Sequence, residues 1–126
     1  MYLRFSTKIW DSESTRYLGI LVAAHQLRDE GDLSSDEHSR LRKCLSWFNE
    51  QLSIPKILKK REHRRALSWF KPEATEPIRR MWDLVEILKQ HEIEIDVFKT
   101  NDPGIIIYED GWQIVAKPRK GEKARW

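Results

Sequence analysis

Cysteine is nearly missing from this chain. Cys44 stands alone among 126 residues, so no internal disulfide can form. A zinc centre closed by several thiolates is excluded with it. The four histidines (25, 38, 63 and 91) never fall at HxxxH or HExxH spacing, which leaves no metal motif. Glycine and proline number five each, and the glycines stand singly at turns. There is accordingly neither GxxxxGK[ST] nor GxGxxG to cradle a phosphate, and no GxSxG elbow to present a nucleophilic serine. Long apolar runs are also lacking: the stretch from Leu18 to Ala24 contains Gly19 and stops at His25. No segment is long enough to span a bilayer, and no leading segment resembles a signal peptide. With a lone thiol, this pattern predicts a cytoplasmic protein without a membrane partner.

What is present is charge, and it is unevenly placed. Residues 56–65 (KILKKREHRR) hold six Lys/Arg against one Glu, and residues 117–126 (KPRKGEKARW) hold five against one. The remaining 106 residues carry 12 basic and 18 acidic side chains. The formal charge of +3 is thus an acidic body of −6 bearing two cationic segments worth +9. Such a dipole creates local fields that the average hides. Six tryptophans are the other surplus, each a large area to bury or to offer a partner.

A chain of this length fits one domain with one core, here placed at residues 1–118, with 119–126 a basic disordered tail. Residues 2–9 (YLRFSTKI) alternate and predict a strand with Leu3 and Phe5 facing inward. Asp11–Ser14 offer N-caps for a first helix carrying Tyr17, Leu21, Ala24 and Leu27, which Gly31 ends. Ser34 and Glu37 form a capping box, and Leu41, Leu45, Phe48 and Leu52 recur behind it at helical spacing. Cys44 lies mid-helix beside that stripe, a packing position rather than a nucleophile's. The basic stretch 56–65 predicts a mobile loop or frayed helix, since like charges repel. Residues 66–70 (ALSWF) predict a strand stopped by Pro72. Thr75 caps a third helix with Pro77 in its first turn; Ile78, Met81, Trp82, Leu84, Val85, Ile87 and Leu88 give it a wide apolar face. Residues 93–97 (IEIDV) alternate as a strand. Pro103-Gly104 marks a type II turn. Asp110-Gly111 marks a type I′ hairpin pairing Tyr108 with Gln113 and Ile107 with Ile114.

The order β-α-α-β-α-β-β-β predicts an α+β domain: a five-stranded mixed sheet with three helices, a parallel crossover through the third helix, and a C-terminal antiparallel meander.

The segments LSWF at 45–48, SWFKP at 68–72 and PGIIIYEDGWQIVAKP at 103–118 resemble short bacterial proteins known only as hypothetical. The similarity extends to the strand at 2–7 and the helix at 17–31. It implies a bacterial-type cytoplasmic protein and brings no activity, cofactor or functional residue with it.

Three functional classes remain. The first is a non-enzymatic accessory protein that binds a protein partner or itself as a homodimer through sheet aromatics, with Trp69, Tyr108 and Trp112 as the contact residues. Adjacent strand residues point to opposite faces, so Trp69 and Phe70 cannot share one core. The second is a nucleic-acid-binding accessory factor, with Lys59, Lys60, Arg61, Arg64 and Arg65 on phosphates and Trp126 adding a stacking ring. The third is a small metal-dependent nuclease or hydrolase built on Glu94 and Asp96 or Glu109 and Asp110, with Lys99. No catalytic, metal-binding or cofactor-binding residue is assigned, and no cofactor is implied.

Overall fold

The computed structural model describes residues 1–13 and 16–121. Its elements in chain order are β1 (Tyr2–Asp11), β2 (Arg16–Gly19), α1 (Ile20–Glu30), α2 (Ser35–Gln51), β3 (Leu67–Phe70), α3 (Thr75–Gln90), β4 (Ile95–Thr100), β5 (Ile105–Glu109) and β6 (Gln113–Lys117). Two short 3-10 turns, Lys56–Lys59 and Arg61–His63, lie between α2 and β3. The fold is α+β, with three helices and one open antiparallel sheet of six strands.

The sheet differs from the expected one in three ways. First, Arg16–Gly19 is a strand that folds back on β1, so the segment expected as the start of α1 is β2 instead. Helix α1 begins only at Ile20, with Gly19 as its N-cap and no side-chain cap. Ser14, an expected cap, lies outside the described residues. Second, every pairing is antiparallel, giving the path β2-β1-β3-β6-β5 with β4 on the other edge of β1. β3 and β4 therefore run parallel without touching, and the β3-α3-β4 crossover steps over β1. Third, the last three strands are not a meander: β5 pairs with β6, whereas β4 pairs with β1 from Tyr2↔Thr100 to Thr7↔Ile95.

Strand β1 makes this possible by its length. One edge takes β4 along Tyr2–Thr7, and the other takes β3 at Leu3 and β2 from Ser6 onward. Between those last two partners the edge forks. Leu3 and Phe5 face the helices as expected, where Phe5, Phe70, Ile20, Leu41, Leu45, Phe48, Met81, Leu84, Val85 and Leu88 form the main core. A second cluster of Trp69, Ile114 and Ala116, flanked by Tyr2, Leu67 and Phe98, contains no helix residue and fills the opposite sheet face.

Local signals explain the helix ends. Ser34 Oγ accepts from the Glu37 N–H and Glu37 Oε1 accepts from the Ser34 N–H, both at 3.2 Å, completing the capping box. The other oxygen of Glu37 lies 2.6 Å from His91 Nε2, tying the start of α2 to the end of α3. The hydrogen bond with His91, followed by the bond from Ser34, holds the Glu37 carboxyl below its ordinary value. Thr75 is not the cap of α3: it is the first helical residue, and Ala74 precedes it without a side-chain cap. At the other end, the Glu92 N–H bonds Lys89 O and the Ile93 N–H bonds Leu88 O, with Glu92 at φ 63°. This is a Schellman ending built on glutamate where glycine is usual.

The β5–β6 hairpin also departs from expectation. Tyr108 pairs with Val115 and Glu109 with Ile114, and a bulge follows between Ile106 and Tyr108. Neither Asp110 nor Gly111 has positive φ, so the turn is not type I′. Asp110 closes it instead, its Oδ1 accepting from the Trp112 and Gln113 N–H groups at 2.9 Å each. Gly104 does have the positive φ (115°) that the Pro-Gly turn demands.

Candidate functional site

Both cationic segments continue the same strand pair. Leu67 stands opposite Ala116 in the β3–β6 ladder, so the chain entering β3 and the chain leaving β6 run side by side. Residues 62–66 and 117–121 consequently line one cleft of about 340 Å³. A neighbouring hollow is formed by Lys60, Arg61, Glu62 and Arg64. Arg64 and Glu62 line both hollows.

Local backbone bonds hold the loop against its own repulsion. The N–H groups of Leu58, Lys60, His63 and Ala66 donate to the carbonyls of Pro55, Ile57, Lys60 and His63. The side chains of Lys59, Lys60, Arg61, Arg64 and Arg65 are then all exposed. Among the described residues none of the five makes an ion pair. Glu62, the carboxylate within the loop, lies 3.9 Å from His63 Nε2. His63 turns inward, and its Nδ1 is buried without a hydrogen-bond partner. On the opposite wall, both terminal nitrogens of Arg119 donate to Asp102 at 2.8 Å, anchoring the strand exit. Of the disordered tail expected at 119–126, residues 119–121 are thus placed, and residues 122–126, with Trp126, lie outside the described residues.

The expected aromatic surface is rearranged. Trp69 is not available to a partner: it is only 1% exposed, sealed in the second cluster. Tyr108 is half-buried, and its hydroxyl donates to Asp110 Oδ2 at 2.9 Å. Trp112 is half-buried and stacks on Trp47 with ring centroids 5.6 Å apart, while the Arg80 guanidinium lies 4.7 Å from the Trp47 ring. The open aromatics are others. Trp10 and Tyr17, 57% and 51% exposed, meet edge-to-face across the β1–β2 ribbon. Trp82 on α3 is 44% exposed although its ring touches Phe5. The sequence hides this cross-strand pair because Asp11–Ser14 reads as a helix cap.

No protein-family model, no curated protein and no solved structure matches this chain. The site must therefore be read from its own chemistry.

Three of the four carboxylates considered for a nuclease have separate engagements. Glu94 pairs with Lys8 at 3.6 Å, and Glu109 forms an ion pair with Lys71. Burial alone would raise the Asp110 carboxyl. Its hydrogen bonds from Trp112, Gln113 and Tyr108 outweigh that and hold it below the ordinary value. Among the described residues no three His, Cys, Asp or Glu side chains converge as metal ligands. Cys44 is buried, and its thiol donates to Arg80 O at 3.3 Å. Burial, reinforced by the charge of Asp83, pushes that thiol up to about 11, far from a reactive thiolate.

Among the described residues no helix is long and apolar enough to cross a membrane.

Proposed function

We propose that this protein is a non-enzymatic accessory factor that binds the phosphate backbone of nucleic acid through its convergent cationic face. One observation carries the reading: two basic segments far apart in sequence are brought to opposite walls of one cleft by the β3–β6 pairing. Five exposed cations that make no ion pair among the described residues favour a polyanion, because each phosphate they neutralise releases a condensed counterion. A groove flanked by exposed basic side chains suits sequence-independent contact.

Fluorescence anisotropy with a labelled random-sequence duplex tests it. If all five loop cations engage, log Kd plotted against log salt should have a slope near 4 to 5 in magnitude, at roughly 0.9 per contact. Changing Lys59, Lys60, Arg61, Arg64 and Arg65 together to Ser should remove most of that slope. Unchanged affinity and slope in this variant would overturn the reading.

A second reading, contact with a protein or with another copy of this chain, is favoured by the exposed Trp10–Tyr17 pair rather than by Trp69. Paired Trp10→Ser and Tyr17→Ser substitutions would then abolish any concentration-dependent rise in sedimentation coefficient. A strictly monomeric wild type would remove the self-association version.

A further inference from the structure

The strand pairing puts a third surface at the same end of the sheet as the two cationic segments. β1 and β3 run antiparallel through Leu3↔Phe70, so β1 beyond Ser6 climbs toward the chain that enters β3, residues 62–66. β3 and β6 are antiparallel as well, so residues 117–121 leave the sheet at that same end. There β1 and β2 form a ribbon in which Trp10 stands opposite Tyr17. β2 takes the edge of β1 that β3 takes lower down, which puts the ribbon on the side of β1 toward the cationic loop. On the other side β4 brings acid, with Asp96 opposite Ser6 and Glu94 paired with Lys8.

The ring pair is held in place by its own strand irregularity. The β1–β2 register shifts between Ser6 and Trp10. Thr7, 1% exposed, fixes this shift: its hydroxyl donates to Leu18 O at 2.9 Å and accepts from the Ile9 N–H at 3.1 Å. A bulge of this kind twists a ribbon and re-aims the side chains beyond it. The two rings meet at 82° with centroids 5.2 Å apart, and each keeps about half of its surface in solvent. Neither the main core nor the second cluster takes them in. Exposed rings beside cations suit unpaired bases, which stack on the rings while their phosphates meet the charges. A duplex cannot use the rings in this way, because its bases are already stacked on one another.

We infer that the ligand of this end of the molecule is a single-stranded nucleic acid, with Trp10 and Tyr17 stacking its bases and Lys59, Lys60, Arg61, Arg64 and Arg65 holding its phosphates. The assignment rests on the phosphate-backbone reading above and narrows its ligand to unpaired strands.

The test is fluorescence anisotropy with a labelled single strand of about 15 nucleotides, near the upper end of what one small single-strand-binding fold covers, and with its duplex. At one salt concentration the wild type should bind the single strand about fivefold or more tightly than the duplex. Trp10→Ser and Tyr17→Ser together should weaken the single strand about tenfold or more, and leave duplex affinity and both salt slopes as they were. A strand of the same length without bases should bind the wild type as poorly as the ring variant binds the normal strand. Trp10→Phe, which keeps a stacking face, should retain most of the affinity. If the Ser variant of the five loop cations binds both ligands as the wild type does, the cationic reading falls and this assignment falls with it. If that variant loses binding while the ring variant keeps its single-strand affinity, the stacking assignment alone is refuted. A wild type that binds duplex as tightly as single strand also overturns it. So does self-association in sedimentation that the ring variant abolishes without any loss of single-strand affinity, since the rings are then a contact between copies of the chain. Should the ring variant fail to fold, the baseless strand decides, and undiminished affinity for it refutes the stacking.

Discussion

Replacing Trp69 with Ala separates the sheet's two faces energetically. Trp69 sits in a cluster that contains no helix residue, packed with Ile114 and Ala116 and flanked by Tyr2, Leu67 and Phe98. At 1% exposure it is among the most sealed large side chains of the protein. Truncation removes the transfer free energy of an indole and leaves a cavity that a β-sheet cannot close by collapse, about 3–5 kcal/mol together. A domain of this size has about 5–15 kcal/mol in total. With a urea slope near 1.5 kcal/mol/M, the unfolding midpoint should fall by about 2–3 M. Trp10→Ala is the internal control. That ring is 57% exposed and touches Tyr17 edge-to-face, so it should cost at most about 1 kcal/mol. Equilibrium urea unfolding followed by far-ultraviolet circular dichroism reads both. If Trp69→Ala costs less than about 1 kcal/mol, or no more than Trp10→Ala, the second cluster is not a core and the account of the sheet fails.

Four further outcomes follow from single positions. Gly104→Ala should destabilise by at least about 2 kcal/mol in the same assay, because φ is 115° and a Cβ there would meet Lys117 O at 2.3 Å. Glu92→Gly should stabilise by about 0.5–1 kcal/mol, the left-handed strain of glutamate exceeding the flexibility glycine adds to the unfolded chain. Asp110→Ala should cost about 2 kcal/mol and broaden the amide signals of Trp112 and Gln113, since one carboxylate closes that turn. The Glu37 carboxyl has a lowered folded pKa, so its contribution is complete above the ordinary value of 4.5 and disappears as pH falls through the lower folded value; Glu37→Gln should flatten that part of the acid limb in a thermal-melt series.

The parts of the fold legible in the sequence were those set by neighbours along the chain. The capping box at Ser34 and Glu37, the stripe of α2 and the Pro103-Gly104 turn rest on contacts within a few residues. Strand β2 was hidden because Tyr17, Leu21 and Ala24 keep helical spacing across Gly19, and a four-residue strand offers little alternation of its own. The hairpin register was misread because a side chain intervened: Asp110 accepts two backbone N–H groups, and that outweighs the usual turn for an Asp-Gly pair. The mixed sheet was inferred from the crossover through α3, but the sequence gives no sign that β1 stands between β3 and β4. As for the candidate site, the cationic segments were plain in composition, yet their meeting is a product of the Leu67↔Ala116 register. The buried Nε of Arg4, without a hydrogen-bond partner among the described residues, has no signal in the sequence, being part of one arginine in a strand of ordinary composition.

The position of β1 bears on how the molecule is made. One edge of this strand waits for β4, almost the whole chain later. A ribosome that stalled after α3 would release a strand with one edge still seeking its hydrogen bonds. Folding of this sheet is therefore a late event during synthesis, and chains interrupted before Thr100 should be the ones that aggregate or recruit chaperones.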